Sequence, residues 1–402
     1  MDAKNIETLK DAAFKELTQN ILPFWQNNTI DNENGGFYGS IDFYGNIDKK
    51  ASKGAVLNTR ILWTYSKAYN ILGKKEYLNL AQRAYDYINK YFKDPEFNGV
   101  FWELDYTGQP VNTRKYCYTQ GFWIYALSEY YEASKDPKSI KLALDIFSII
   151  EDKALDKSKN GYVEAFARDW SITGDVRISE KDLNENKTYN THLHLLEGYT
   201  ALYLATKNEK VKKALENLVS LMLNKFINPV NNHFLLFFDD DWNLKSDLVS
   251  YGHDIEGTWL LWDAIKSLGS PEIEKRTLPV ILKIVDAVAK ESIDEDGGQF
   301  YEGNSREGVK DTDKHWWPQA EAVVGFLNAW QITGNDKYFS LANNSWKFIE
   351  KFISDHKSGE WFWRVNKNGV PYTNEVKAGF WKCPYHNSRS CFEIIHRLTK
   401  LH

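Results

Sequence analysis

The chain has few cysteines and no long apolar run, and each shortage excludes a class of protein. Three cysteines in 402 residues, at positions 117, 383 and 391, are too few for the disulfide framework of a small secreted protein and favour a reducing cytoplasm. No segment reaches the roughly 20 apolar residues that cross a bilayer. Residues 1–17 are charged and amphipathic and lack the apolar core of a secretory signal. We therefore expect a cytoplasmic protein with no membrane partner.

Concentrated charge of one sign is also missing. The 50 basic and 55 acidic residues are interspersed and leave a formal net charge of −5, so nucleic acid is not an expected partner. The motifs G-x-S-x-G, G-x-G-x-x-G, H-E-x-x-H and the Walker A loop do not occur. The sequence thus gives no support for a hydrolase elbow, a Rossmann domain, a zinc protease or a nucleotide triphosphatase.

Aromatic residues, by contrast, are abundant at 15% of the chain, with 15 tryptophans. Many of them lie in short Gly/Asn-rich segments that recur six times, roughly 60 to 70 residues apart. These segments begin at Gly35, Asn98, Asn160, Asn231, Gly297 and Ser358. A fixed period indicates a repeat architecture. The aromatic residues suit a large core, and they also suit a cleft that stacks sugar rings.

Each repeat has an amphipathic stretch before the aromatic segment and a more uniformly apolar stretch after it. The first pattern predicts outer helices over about 6–26, 75–92, 139–153, 210–226, 273–292 and 337–353. The second predicts inner helices over about 58–71, 118–133, 190–206, 252–266, 316–332 and 384–398. Short loops make successive helices antiparallel. An open solenoid would have polar end repeats, so we predict a closed (α/α)6 barrel, one domain over residues 1–402.

In such a barrel the starts of the inner helices meet at one rim, where side chains converge. The residues near these starts are Asn58, Arg60, Tyr118, Gln120, Asn190, His192, His194, His253, Glu256, Trp316, Trp317, Glu321, His386 and Arg389. His194, His253 and His386 lie at nearly the same phase of their repeats. Imidazole exchanges protons near neutral pH, so opposed histidines suit the removal and return of one proton.

Some of these residues have more than one interpretation. His192 and His194 form an H-x-H pair, but residues two apart on a helix point to nearly opposite sides, so we expect no metal. His253 and Glu256 are spaced i, i+3, which allows the carboxylate to orient the imidazole; the alternative is a satisfied core histidine. Arg60 is either a substrate clamp or a buried ion-pair partner.

Three segments at inner-helix starts resemble the cellobiose 2-epimerases of the N-acylglucosamine 2-epimerase superfamily. They are NTHLHLLE at 190–197, SYGHDIE at 250–256 and WKCPYHN at 381–387. The resemblance extends from Phe24 to Arg397, nearly the whole chain. It implies an (α/α)6 barrel and a reaction without metal or cofactor at C2 of the reducing-end glucose of β-1,4-linked disaccharides such as cellobiose and lactose. Minor aldose–ketose isomerisation is an expected side activity.

The resemblance also implies roles for individual residues. His253 and His386 would be the general acid/base pair that exchanges the C2 proton through an enediol(ate). His194 would assist ring opening, and Glu256 would support His253. The sugar-binding residues would be Arg60, Tyr118, Asn190, Trp316 and Trp381, although Trp316 and Trp381 also suit rim packing. The protein would act as a monomer or homodimer.

Three other functions remain open from the sequence. An inverting glycoside hydrolase on the same toroid would use paired carboxylates, with Glu164, Glu256 and Glu321 as candidates. A mannose isomerase or a monosaccharide or N-acylglucosamine 2-epimerase of the same superfamily is the second alternative. A carbohydrate-binding or scaffold protein without catalytic activity is the third.

Overall fold

A computed structural model describes residues 3–399, and this part of the chain is mainly helical. In chain order the helices are α1 (Ala3–Lys15), α2 (Leu22–Asn28), α3 (Ala55–Leu72), α4 (Lys75–Tyr87), α5 (Cys117–Ser134), α6 (Pro137–Lys153), α7 (Tyr189–Thr206), α8 (Glu209–Leu221), α9 (Tyr251–Leu268), α10 (Pro271–Glu291), α11 (Trp316–Thr333), α12 (Asp336–Phe348) and α13 (His386–Thr399). Segments of π-helix extend the outer helices at Glu16–Ile21, Ile88–Phe92, Met222–Phe226 and Ile349–Ile353. The predicted helical stretches are confirmed to within a few residues.

The inner helices form a closed ring. Helix α3 packs against α5, and the contacts continue through α7, α9 and α11 to α13, which returns to α3. Outer helices α4, α6, α8, α10 and α12 and the N-terminal helix α1 pack on the outside of this ring. The inner helices are apolar nearly all round because both sides are covered: almost every residue of α11 from Trp316 to Trp330 is buried. The predicted (α/α)6 toroid is confirmed.

Short strands lie at the rim, and some of them join neighbouring repeats. They are β1 (Ser40–Ile41), β2 (Ile47–Asp48), β3 (Lys53–Gly54), β4 (Glu103–Leu104), β5 (Pro110–Asn112), β6 (Lys115–Tyr116), β7 (Ala165–Phe166), β8 (Lys187–Thr188), β9 (Phe237–Phe238), β10 (Leu248–Ser250), β11 (Glu302–Asn304), β12 (Gly308–Asp311), β13 (Lys314–His315) and β14 (Arg364–Val365). The strand before an inner helix pairs antiparallel with a strand of the next repeat, as in β3–β4, β6–β7, β8–β9, β10–β11 and β13–β14. A bridge between Ile41 and Ala378 joins the last repeat to the first. Strands also pair within a repeat, as in β1–β2, β4–β5 and β11–β12. The pairing between repeats had no signal in the sequence.

An ion pair between a buried lysine and an aspartate recurs in five of the six repeats within residues 3–399. The pairs are Lys53–Asp31, Lys115–Asp94, Lys187–Asp156, Lys314–Asp294 and Lys377–Asp355. In the fourth repeat Val249 stands where the lysine is expected, two residues before α9. The imidazole of His233 supplies the hydrogen bonds there, to Asp254 at 2.7 Å and to Glu291 at 3.1 Å. This histidine, which the sequence left without a role, is therefore part of the scaffold.

Several tryptophans also have scaffold positions. The indole of Trp242 donates to the carbonyl of Lys159 at 2.9 Å and so covers the turn of the preceding repeat. Gly161 in that turn has φ +88°, and a Cβ there would lie 2.5 Å from the Trp242 ring. Trp170 covers the previous turn in the same way, through the carbonyl of Phe97. Inter-repeat packing thus accounts for part of the high aromatic content. Across the described residues no helix is long and apolar enough to cross a membrane.

Candidate active site

One position of the inner helices points into the ring. The sixth residues of α3, α5, α7, α9 and α11 are Arg60, Phe122, His194, Glu256 and Glu321. Neighbours in this set touch: the Arg60 guanidinium lies 4.3 Å from the Phe122 ring centre, and the Phe122 and His194 rings are 4.7 Å apart. His253 is the third residue of α9, so its position is one helical turn closer to the rim than that of His194. His194 and His253 therefore face the same interior, as their similar positions in the repeats predicted. They lie at different depths along the barrel, however.

His386 is paired with a carboxylate from the neighbouring inner helix. Its Nδ1 lies 2.7 Å from Oε1 of Glu321, and the second oxygen of Glu321 accepts from the Trp259 indole at 3.1 Å. Burial and the nearby charges of Arg60 and Arg389 hold the pKa of His386 well below its usual range. A neutral imidazole that donates from Nδ1 to a carboxylate carries its lone pair on Nε2. This arrangement is suited to accepting a proton from a bound substrate.

His194 has a carboxylate partner on its own helix. Its Nδ1 is 3.0 Å from Oε2 of Glu197, three residues further along the helix. Burial opposes ionisation of Glu197, but Arg389 and His194 outweigh it and lower its pKa to about 2. The His194 ring also packs edge-on against Tyr118 at 5.0 Å. This imidazole therefore faces an ionised carboxylate on one side and the aromatic lining on the other.

His253 is oriented by a serine. Its Nδ1 lies 2.8 Å from Oγ of Ser250, the residue just before α9 begins. Burial and the neighbouring His194 lower the pKa of His253 to about 3, so the ring is neutral at pH 7. The rings of His253 and His386 both pack against the Trp317 indole, at 4.7 and 5.6 Å between centroids. The two histidines that we expected to act as a pair therefore pack against the same indole.

The expected contact between Glu256 and His253 is not present. Oε1 of Glu256 accepts from NH2 of Arg389 and lies 3.9 Å from Nδ1 of His386, and no hydrogen bond joins Glu256 to His253. The spacing i, i+3 permits a contact, but a guanidinium is the stronger partner for a buried carboxylate, and Ser250 already holds the imidazole. Burial and the charge of Glu321 raise the pKa of Glu256 to about 7. Its second oxygen, Oε2, is buried and has no partner among residues 3–399.

All five predicted sugar-binding residues lie around the same space. NH2 of Arg60 donates to the Tyr118 hydroxyl at 2.8 Å, and the Trp381 indole packs edge-on to Tyr118 at 5.8 Å between centroids. Asn190 precedes His194 by one turn, and its Oδ1 is buried with no partner in the described part of the chain. Trp316 is buried beside His386, with ring centroids 6.4 Å apart, and its Nε1 is likewise unpaired among the described residues.

The Arg389 guanidinium already lies between the carboxylates of this site and disfavours a bound metal ion. Ligand atoms of Glu256, Glu321 and His386 lie within 4.8 Å of one another, a spacing that a cation could use. NH2 of Arg389 bonds to both carboxylates at that point, however, so a fixed positive charge stands in the cation's place.

His192 lies outside this constellation. Its Nε2 accepts from the amide of Tyr162 at 2.9 Å and its Nδ1 donates to the carbonyl of Thr188 at 2.7 Å. Gln120 and Gln319 make the equivalent bond to the aromatic segments of their own repeats. His192 is therefore a scaffold residue, although the sequence placed it among the residues that converge at the rim.

Sequence reasoning missed several residues that complete the site. Ser250 could have been found, since a serine three residues before a histidine at a helix start can reach its imidazole. Trp259 and Tyr385 gave no signal, because their partners Glu321 and Glu197 are distant in sequence. Arg389 was noted at the rim, but its three carboxylate partners come from three other repeats.

Together the ring and its histidines form a buried cluster of acid and base side chains inside a helical toroid. Residues 36–390 match the family N-acylglucosamine 2-epimerase (GlcNAc 2-epimerase). The chain belongs to this family. The predicted family is thus confirmed, and with it the prediction of an enzyme with epimerase or isomerase activity.

Individual relatives agree with this assignment. A cellobiose 2-epimerase of Bacteroides fragilis is 46% identical over 389 residues, covering 97% of this chain and 99% of that protein. A cellobiose 2-epimerase structure from Bacillus thermoamylovorans superposes with a TM-score of 0.92 at 36% identity, over 97% of this chain and 100% of that one. A D-mannose isomerase structure has a TM-score of 0.83 at 22% identity, over 97% of each chain, and shares the fold.

Proposed function

We propose that the chain catalyses reversible epimerisation at C2 of the reducing-end glucose of β-1,4-linked disaccharides, converting cellobiose to glucosyl-mannose and lactose to epilactose. The observation that carries this proposal is the pair of imidazoles, His253 and His386, each held at Nδ1 and both packed against Trp317. The similarity to cellobiose 2-epimerases over nearly the whole chain supports a disaccharide as the substrate.

The chemistry requires one proton to leave C2 and another to return on the opposite face. C2–H becomes acidic when the hemiacetal has opened and C1 is an aldehyde. One imidazole then takes the C2 proton on its Nε2, and the electron pair moves to the C1 oxygen as an enediolate. The other imidazole, which has taken a proton from solvent on its Nε2, gives that proton to C2 from the other side and returns to the neutral form. Both histidines have lowered pKa values and so are available as neutral bases. In the reverse direction their roles exchange, and protonation at C1 instead of C2 gives the ketose as a minor product.

Three further groups have roles at the sugar oxygens. His194, oriented by Glu197, assists ring opening by moving the proton between the C1 hydroxyl and the ring oxygen. Arg60 stabilises the negative charge of the enediolate, as a fixed cation in a dry site does efficiently. Glu256 has a pKa of about 7 and an unpaired buried Oε2, so near neutral pH it can donate a hydrogen bond to a substrate oxygen. These acid–base groups suffice for the reaction, which therefore needs no cofactor.

The unpaired polar atoms of the site support a ligand with many hydroxyl groups. Buried polar atoms in proteins nearly always have a hydrogen-bond partner. Asn190 Oδ1, Trp316 Nε1 and Arg60 Nε have none among residues 3–399. A sugar bound against Trp381, beside Tyr118, would supply these partners and stack on the indole.

The arrangement of carboxylates does not favour the rival inverting hydrolase. Such enzymes place their two carboxyl groups about 6.5–9.5 Å apart to admit a water molecule. Oxygens of Glu256 and Glu321 lie within 4.8 Å and both bind Arg389. Glu164, the third candidate, accepts hydrogen bonds from Thr188 and Thr191 and is buried.

Product analysis tests the proposal. Incubation with cellobiose should give glucosyl-mannose with no free glucose, and His386→Ala should abolish this conversion. Free glucose without glucosyl-mannose would favour the hydrolase, and an unchanged His386→Ala variant would favour a protein that only binds sugar. Faster turnover of mannose or N-acetylglucosamine than of cellobiose would move the proposal to a monosaccharide enzyme.

The proposal extends to the domain organisation, the oligomeric state and the compartment of the protein. We infer a single catalytic domain that works as a monomer or homodimer in the cytoplasm. Cys117, Cys383 and Cys391 are all free and buried, which suits a reducing compartment. Light scattering after gel filtration would determine the oligomeric state, and limited proteolysis would test whether the chain is one domain.

A further inference from the structure

Arg389 is a buried cation that takes no part in the proton exchange proposed above. It lies on α13, three residues after His386, with only 1% of its surface exposed. Its NH1 donates to Glu197 and its NH2 donates to both Glu256 and Glu321, the latter at 2.7 Å. One guanidinium therefore meets three carboxylates from three other inner helices.

Two of these carboxylates, Glu321 and Glu197, are the hydrogen-bond partners of His386 and His194. The oxygen of Glu321 that Arg389 contacts is the same Oε1 that lies 2.7 Å from Nδ1 of His386. Glu197 binds Arg389 through Oε1 and His194 through Oε2. The guanidinium thus joins the two imidazole–carboxylate pairs into one network.

The plane of the guanidinium is itself fixed. Its central carbon lies 4.4 Å from the Tyr385 ring centre and 4.8 Å from that of Trp259. The Tyr385 hydroxyl bonds to both Arg389 and Glu197, and the Trp259 indole bonds to Glu321. Stacking and hydrogen bonds from the same two residues therefore set the orientation of Arg389 and of the carboxylates together.

Resting on the proposed function, we propose that Arg389 is a positioning residue: it keeps Glu321 and Glu197 ionised and in place, and so fixes the orientation and tautomer of His386 and His194. A lysine could not replace it, because an ammonium is a point charge and lacks the planar fork that reaches several carboxylates. Arg389 lowers the pKa of Glu197 against the effect of burial, and it opposes the burial that raises the pKa of Glu321.

The test compares Arg389→Lys with Arg397→Lys. Arg397 is a matched control on the same helix: it is buried and paired with Glu393 and Asp263, and it contacts none of the three histidines. We expect Arg389→Lys to lower kcat on cellobiose by about 100-fold, the scale of a catalytic group misplaced by about 1 Å, with KM within about threefold. The acid limb of the kcat/KM profile should move to higher pH, since carboxyl groups with poorer cation contact bind protons more readily. Arg397→Lys should show neither change.

Three outcomes are informative. A wild-type enzyme without epimerase activity overturns the proposed function. An active wild type with equal kcat and pH profiles for the two lysine variants overturns the role of Arg389 alone. If circular dichroism shows that Arg389→Lys is unfolded, Tyr385→Phe decides, because it removes one hydroxyl from Arg389 and Glu197 and keeps the ring. It should lower kcat by roughly 3- to 10-fold, about the value of one hydrogen bond, and move the acid limb upward; an unmoved acid limb overturns the inference.

Discussion

Oε1 of Glu321 lies 2.7 Å from Nδ1 of His386, although 65 residues separate the two in sequence. The carboxylate lies on α11 and the imidazole at the start of α13, so ring closure produces the pair. Its consequence is chemical: Nδ1 carries the hydrogen and Nε2 is available to the substrate.

Glu321→Gln should therefore reduce catalysis far more than substrate binding. A neutral amide cannot stabilise the imidazolium that forms when His386 accepts a proton, and its NH2 group competes for the same position. We expect kcat to fall by about 100-fold or more, within the range of general acid–base catalysis, with a small change in KM. The measurement is steady-state epimerisation of cellobiose, with Glu129→Gln, a residue that bonds to Asn70 outside the site, as the control. Equal kcat values for both variants would remove Glu321 from the mechanism.

Replacing one imidazole should separate exchange from epimerisation. In His253→Gln or His386→Gln the remaining histidine can still remove and return a proton on its own face. Each variant should lose epimerisation by at least about 1000-fold, while it still exchanges the C2 proton of one of the two epimers with solvent. Proton NMR in heavy water, starting from cellobiose and from glucosyl-mannose, measures this directly. Loss of exchange for both epimers in both variants would contradict a two-base mechanism.

His192→Gln should leave the enzyme active, although its neighbour two residues on is in the site. Glutamine makes the equivalent scaffold bond in two other repeats, through Gln120 and Gln319. We expect the free energy of unfolding to change by no more than about 1–2 kcal/mol, the scale of one hydrogen bond, and kcat to stay within about twofold. Urea unfolding and a cellobiose assay measure both. A large loss of kcat in a folded variant would make His192 a functional residue.

His233, in the fourth repeat, should make the free energy of unfolding depend on pH. Burial opposes a charged His233, but Asp254 and Glu291 outweigh it and raise its pKa. The third group near this imidazole is the Tyr251 ring, at 5.9 Å. A raised folded-state pKa stabilises the fold fully below the unfolded value of about 6.5, and that contribution is lost as the pH rises through the folded-state pKa. The stability gap between wild type and His233→Gln should therefore be larger at pH 6 than at pH 9.

Urea unfolding at the two pH values measures this gap. His356→Gln serves as the control, because His356 is exposed and bonds only a backbone carbonyl of Glu350. The gap for that variant should be the same at both pH values. A pH-independent gap for His233→Gln would show that the folded-state pKa of His233 is not raised above the unfolded value.

The architecture was predictable from the sequence because its signals are local and repeated. Each helix has its own apolar pattern. Because the pattern occurs six times, a helix that is hard to assign in one repeat can be assigned by comparison with the others. The convergence of Arg60, His194, Glu256 and Glu321 followed from their common position in the repeat, and the structure brings their side chains to one ring interior. The pairing of strands between repeats was not predictable, since the strands are only two to four residues long.

The partners of the site residues were harder to predict than their positions. The spacing of His253 and Glu256 allowed a contact, and the prediction of that contact was wrong, because Arg389 competes for the carboxylate from a distant repeat. Glu197 and Arg389 are 192 residues apart, and no local pattern signals such a pair. Roles predicted for single residues, including Tyr118 and Trp381 at the sugar, stay predictions until substrate is bound.

The most direct test of proton exchange at C2 is turnover of cellobiose in heavy water, followed by NMR and mass spectrometry of the recovered sugars. Two-histidine epimerisation predicts glucosyl-mannose with one solvent deuterium at C2 and no free glucose. Glucosyl-mannose that keeps its original C2 hydrogen, or glucose release with no deuterium at C2, would contradict it.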